Sequence, residues 1–127
     1  MKITTGVDII EVDRIKKAVE DLSDSFLNRV YTTKELEYCQ KSNKMKYQHL
    51  ATRFAGKEAV FKAISGYIDR SKLMWQDIEV ENDENGRPSI NLKSDKIIDK
   101  IEDIDISISH CKEYATAMVI VTISTSD

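Results

Sequence analysis

Between Tyr47 and Ile64, apolar residues return at steps of three and four: Tyr47, Leu50, Ala51, Phe54, Ala55 and Phe61. That spacing stacks side chains on one face and predicts a long amphipathic helix over about 47–65, stopping near Gly66. At about 100° per residue, Glu58 falls near the middle of the stripe and Lys62 just inside its edge. A carboxylate and an ammonium on a core-facing stripe are costly to desolvate without partners. A mutual i,i+4 ion pair, Glu before Lys, would satisfy both. The two charges interrupt the apolar face instead of decorating the polar one, which favours a functional cleft over a structural pair.

The other elements follow from the same reading. Lys2 to Ile10 is a strand rich in β-branched residues, with Gly6 marking a bulge or a close backbone approach and Asp8 as the charge inside its apolar run. Ile15, Ala18, Val19 and Leu22 predict a helix from about Glu11, with Arg14, Lys16 and Lys17 on or beside its exposed face. Ser23 or Asp24 opens a short helix reaching about Tyr31. Thr32-Thr33-Lys34-Glu35 matches a capping box and sets a third helix at about 33–42, ending in the basic turn Lys41 to Lys46. Strict alternation at Asp77 to Glu81, the pair Asn85-Gly86, and renewed alternation at Ser89 to Leu92 predict a hairpin. Ser94 caps a modest helix carrying Ile97, Ile98 and Ile101. Ile104 to Ile108 alternates again into Ser109 and His110, and residues 114–123 form a last apolar strand. The order β-α-α-α-α-β-β-α-β-β is that of an α+β fold: one domain, residues 1–127, with helices packed on a mostly antiparallel sheet.

Composition narrows the class. A chain of 127 residues suits one compact domain. With 41% hydrophobic and 32% charged residues it reads as folded and soluble, not disordered. No apolar run approaches the ~20 residues of a membrane span, and the N-terminus lacks a signal-peptide pattern. Cys39 and Cys111 are too isolated for a disulfide framework or a zinc site, so a cytoplasmic protein with reduced thiols is expected. Residues 1–62 hold 12 Lys/Arg against 9 Asp/Glu, and residues 63–127 hold 7 against 13. This balance argues against general nucleic-acid binding and leaves a local basic surface for an anionic substrate or partner.

Asp8, Glu58 and Lys62 are ionisable groups set in apolar elements. Two carboxylates with waters and phosphate oxygens suit a hard cation such as Mg²⁺, and a lysine one turn on can meet a phosphate as a point charge. Such a set fits phosphoryl transfer. Ser109 and His110 are adjacent on a strand and point to opposite faces, so they are no nucleophile–base pair. His110 more often has a structural role there, though it also suits an anion pocket. Arg53 and Lys57 read as flanking, solvated residues, with the Arg53 stem packed and its fork reaching out. Trp75 reads as a core or interface anchor. His49, Cys39 and Cys111 have no constellation around them. From the residues alone three readings stand: a phosphoryl-type transferase, a Mg²⁺-dependent nucleotide pyrophosphate hydrolase, and a non-catalytic module binding a nucleotide or an acidic protein.

Four motifs occur in register. They are Gly6-Val7-Asp8-Ile9 with Arg14, Phe54-Ala55-Gly56-Lys57-Glu58-Ala59 with Lys62-Ala63, Gly86-Arg87-Pro88, and Ser107-Ile108-Ser109-His110. Together they resemble the holo-acyl-carrier-protein synthases, the small single-domain group of 4′-phosphopantetheinyl transferases, with departures at Thr52 and Cys111. The resemblance implies transfer of the phosphopantetheine arm of coenzyme A to a serine of an apo acyl carrier protein, releasing 3′,5′-ADP. It implies Mg²⁺ on Asp8 and Glu58, Lys62 at the leaving phosphate, and Arg53 and His110 at the 3′-phosphate. Either Glu58 or a metal-bound water would take the serine proton. It further implies a homotrimer with sites between subunits, and a carrier-docking helix bearing Arg14, Lys16 and Lys17.

Overall fold

The computed structural model describes residues 1–125. Its order is β1 (Lys2–Glu11), α1 (Val12–Leu22), α2 (Asp24–Val30), α3 (Thr33–Cys39), α4 (Lys46–Ile64), β2 (Ile78–Asn82), β3 (Pro88–Leu92), α5 (Asp95–Ile98), β4 (Ile101–His110) and β5 (Tyr114–Ile123). Two single 3₁₀ turns, at Arg70–Lys72 and Trp75–Asp77, lie between α4 and β2. The expected order is therefore the observed one. The sheet is in fact two: a three-stranded antiparallel sheet, β1-β5-β4, and the separate hairpin β2-β3.

Strand β5 shows why the large sheet can carry α4. Its alternate residues Ala115, Ala117, Val119, Val121 and Ile123 are all buried, which puts one continuous apolar row under the helix. Gly6, facing Val119 across the ladder, sits where helix and strand come closest. A Cβ added there would lie 1.8 Å from the carbonyl oxygen of Ala59. Only glycine permits that contact, and β1 carries a close approach at Gly6, not a bulge.

From Leu50 to Ile64 every residue of α4 is buried except Phe54, Glu58 and Lys62. The helix is enclosed by the large sheet, the hairpin and the α1–α3 cover, and its one open strip runs along those three residues at steps of four. The stripe read from the sequence thus contains the opening of the helix. Glu58 and Lys62 line it, whereas the charges enclosed in the core are Arg53 and Lys57.

Lys57 was expected to be solvated and is fully buried: Nζ lies 2.6 Å from Glu35 Oε1, both side chains being 0% exposed. It also donates to the carbonyls of Val30 at 2.8 Å and Trp75 at 3.2 Å. Glu35 accepts from the backbone N–H groups of Thr32 and Val80, each at 2.9 Å. The capping box seen in the sequence is present, and its glutamate also braces α3 to α4 and β2. Smaller differences lie at element ends. Helix α3 stops at Cys39, and α5 is a single turn, so Ile101 opens β4 instead of closing a helix. The β2–β3 loop spans residues 83–87, with Gly86 at φ 84° and the Asp83 carboxylate accepting from the N–H groups of Asn85 and Arg87.

Candidate active site

Asp8 lies two residues beyond Gly6 and so shares its face, opposite Ala117 on β5. The Gly6 contact presses β1 onto α4 and carries the Asp8 carboxylate to the open strip. There Lys62 Nζ donates to Asp8 Oδ1 and to the Val7 carbonyl, each at 3.0 Å. The i,i+4 pair between Glu58 and Lys62 is not formed. Glu58 instead faces Arg70, with Oε1 3.8 Å from Nη2. Its side chain is 30% exposed against 53% for Lys62 and 15% for Asp8.

Three residues from two distant segments therefore meet. Burial, and then the nearby Asp8 charge, push Glu58 above the ordinary carboxylate pKa, while Arg70 and Lys62 pull it back. Two like charges restrained by two cations suit capture of a dication. Among the described residues, no group of three or more His, Cys, Asp or Glu could hold a metal ion. A metal held here would have two protein carboxylates, Asp8 and Glu58, with water and phosphate oxygens left to complete its shell, a set that suits Mg²⁺.

An aromatic corner closes one side of the strip. Trp75 stacks on Phe54 with ring centres 5.0 Å apart, and Phe61 meets its edge at 5.5 Å, so the expected anchor role of Trp75 is met within the chain. The Arg70 guanidinium lies 3.4 Å from the Phe61 ring centre and 5.0 Å from that of Trp75. Nothing in the sequence pointed to Arg70, because it opens a single 3₁₀ turn in a connecting segment without periodicity.

Arg53 and His110 meet around His49. The His49 and His110 rings are edge to face at 6.4 Å, and Tyr38 lies 5.2 Å from His49. The Arg53 fork does not reach out as expected: the residue is 2% exposed. It stacks on Tyr38 at 4.1 Å, donates to Asn82 Oδ1, and contacts the His49 carbonyl at 3.4 Å. Its Nε is buried without a partner, beside a cavity of about 290 Å³ also lined by Lys34, Tyr38 and Lys41. Burial, then Arg53 and then His110, hold His49 below the ordinary histidine pKa. Its position one turn before Arg53 was the signal that could have found it.

On α1, Arg14, Lys16 and Lys17 are all exposed. Lys17 pairs with Asp13 at 3.6 Å, and Lys16 lies over the Tyr47 ring at 5.8 Å. Cys39 is buried, which pushes its thiol up to about 12, and Cys111 is exposed.

The chain is similar to known proteins over nearly its whole length. The model of the 4′-phosphopantetheinyl transferase superfamily matches residues 4–119. A holo-acyl-carrier-protein synthase of Ruminiclostridium cellulolyticum is 39% identical over 130 residues, covering 99% of this chain and 96% of that protein. One from Thermoanaerobacter sp. strain X514 is 44% identical over 124 residues, covering 94% and 87%. The crystal structure of Helicobacter pylori holo-acyl-carrier-protein synthase in complex with coenzyme A superposes with a TM-score of 0.82 at 32% identity, covering 93% of this chain and 99% of that one. With its site residues falling within the matched span, the chain belongs to the 4′-phosphopantetheinyl transferase superfamily.

Proposed function

We propose that the protein transfers the 4′-phosphopantetheine arm of coenzyme A to a serine of an apo acyl carrier protein, releasing 3′,5′-ADP. The observation that carries this is the meeting of Asp8, Glu58 and Lys62 on the one open strip of an otherwise enclosed helix. Asp8 and Glu58 are the residues that would hold Mg²⁺. When bound, the ion supplies charge neutralisation at the diphosphate of coenzyme A and orients it.

In the transfer, a bond forms between the carrier serine oxygen and the phosphorus bearing pantetheine, and the bond from that phosphorus to the oxygen of 3′,5′-ADP breaks. Lys62 neutralises the leaving phosphate or gives it a proton. The serine proton passes to Glu58 or to a water; the raised Glu58 pKa makes it a better acceptor than an ordinary carboxylate. His110 meets the 3′-phosphate at the surface, with Arg53 as buried positive charge behind it. The exposed basic residues of α1 dock the acidic carrier by complementary charge.

Homotrimerisation is supported by the face of the large sheet turned away from α4. Ile3, Val7, Ile9, Met118 and Ile120 are exposed there, Val7 at 60% and Ile9 at 66%, a patch that assembly would cover. Sedimentation of the free protein tests this. A cytoplasmic location is proposed as well; among the described residues no helix is long and apolar enough to cross a membrane.

The test of the reaction is the mass of an apo carrier protein after incubation with the protein, Mg²⁺ and coenzyme A. A gain of one phosphopantetheine arm supports the transferase. Consumption of coenzyme A with no gain on the carrier would favour a hydrolase, and binding without consumption a non-catalytic module.

A further inference from the structure

Arg70 enters the site from the loop after α4, and its placement is unusual for a surface arginine. The flat guanidinium is held against the Phe61 face at 3.4 Å and beside Trp75 at 5.0 Å. Aromatic contact on a guanidinium face leaves its in-plane N–H donors available. Its approach to Glu58, 3.8 Å, is a charge contact too long for a hydrogen bond. It also lines a cavity of about 740 Å³ with Phe61, Lys62, Tyr67, Asp69 and Lys100. The strip therefore balances two carboxylates, Asp8 and Glu58, against two cations, Lys62 and Arg70.

We infer that Arg70 is a further binding residue of this site: it holds Glu58 when no metal is bound, and meets the diphosphate of coenzyme A when the metal takes Glu58. The inference rests on the function proposed above. A dication entering a neutral cluster leaves it with an excess of two positive charges, which a diphosphate offsets. Metal and diphosphate then favour one another, and neither binds tightly alone. The planar fork of arginine matches phosphate oxygens in pairs, which suits it to the second role.

The experiment is a titration of the whole protein with Mn²⁺, read by loss of the electron paramagnetic resonance signal of the free ion, together with calorimetric binding of coenzyme A in the presence of Mn²⁺. It is run on wild type, Arg70→Gln, Arg70→Lys and Asp8→Asn. Removing one cation within contact distance of a metal ligand should tighten Mn²⁺ binding in Arg70→Gln by about tenfold and weaken coenzyme A binding by about tenfold. Arg70→Lys should restore most of the wild-type metal affinity. If Arg70 only packs the aromatic corner, Arg70→Gln lowers the melting temperature but leaves both affinities within about twofold of wild type, and the inference is overturned. Asp8→Asn separates the two levels. If it loses Mn²⁺ while Arg70→Gln matches wild type, the inference alone falls. If it binds Mn²⁺ as wild type does, the proposed metal site falls and takes the inference with it.

Discussion

Replacing Lys57 by methionine should be among the most damaging single changes in the chain. The substitution keeps the volume of the stem but removes an ammonium that contacts Glu35 at 2.6 Å and two backbone carbonyls at 2.8 and 3.2 Å. It leaves the Glu35 carboxylate at 0% exposure with two backbone N–H donors and no counter-charge. Breaking a buried pair from one side costs about 3–5 kcal/mol, a large part of the roughly 5–15 kcal/mol that holds a domain folded. At roughly 3–5 °C per kcal/mol for a chain of this size, the melting temperature should fall by about 10–25 °C. The double variant Lys57→Met with Glu35→Leu should recover part of that loss, because no unpaired charge remains. The N–H groups of Thr32 and Val80 and the carbonyls of Val30 and Trp75 still lack the partners the pair supplied. Burial holds the Lys57 pKa below the ordinary lysine value even though Glu35 pulls it up, and replacing both charges by apolar side chains removes the desolvation that each carries. A double-mutant cycle by urea or thermal unfolding measures both effects. A Lys57→Met variant within about 1 kcal/mol of wild type, or a double variant no better than the single, would refute the reasoning.

Other changes probe the site. Gly6→Ala forces a Cβ onto the Ala59 carbonyl; it should cost about 1–3 kcal/mol or more and displace Asp8, seen as a lower melting temperature together with weaker metal binding. Glu58→Gln should lower the transfer rate by about 10²–10³-fold without loss of stability at pH 7. Because burial and Asp8 raise the Glu58 pKa in the folded state, its contribution to stability is present below the unfolded pKa and is lost as pH rises through the folded one. Glu58→Gln should therefore gain on wild type in melting temperature between pH 4 and pH 7, and the opposite trend would count against the assigned shift. Arg14→Glu should raise the KM for the carrier protein while coenzyme A affinity stays constant, with the difference shrinking at high salt. An equal loss of both affinities would show that α1 is not the docking helix.

The fold was legible where local chemistry dictates it. The apolar run of β5, the capping box at Thr32 and Glu35, and the sharp change of period after Gly66 each mark an element on their own. What was not legible is how far α4 is enclosed. A helical wheel shows which residues share a face, but not that a second sheet and three short helices cover the remaining sides. Arg53 and Lys57 therefore read as flank residues when they are core ions, and their partners, Asn82 and Glu35, lie 29 and 22 positions away. Asp8, Glu58 and Lys62 stood out because each breaks an apolar run. Their meeting depended on the Gly6 contact, which the sequence marked only as a choice between a bulge and a close approach. Arg70 left no mark, since an arginine opening a single 3₁₀ turn in a connecting segment has no period to break.

Whether Asp8 and Glu58 act as one site is best measured by the rate of carrier modification at saturating Mg²⁺ for Asp8→Asn, Glu58→Gln and the double variant. Two ligands of a single ion fail together: each single change should lower the rate by about 10²–10³-fold, and the double variant should fall little further than the worse single. A single variant within about tenfold of wild type, or losses that multiply in the double variant, would mean that the two carboxylates do not share an ion.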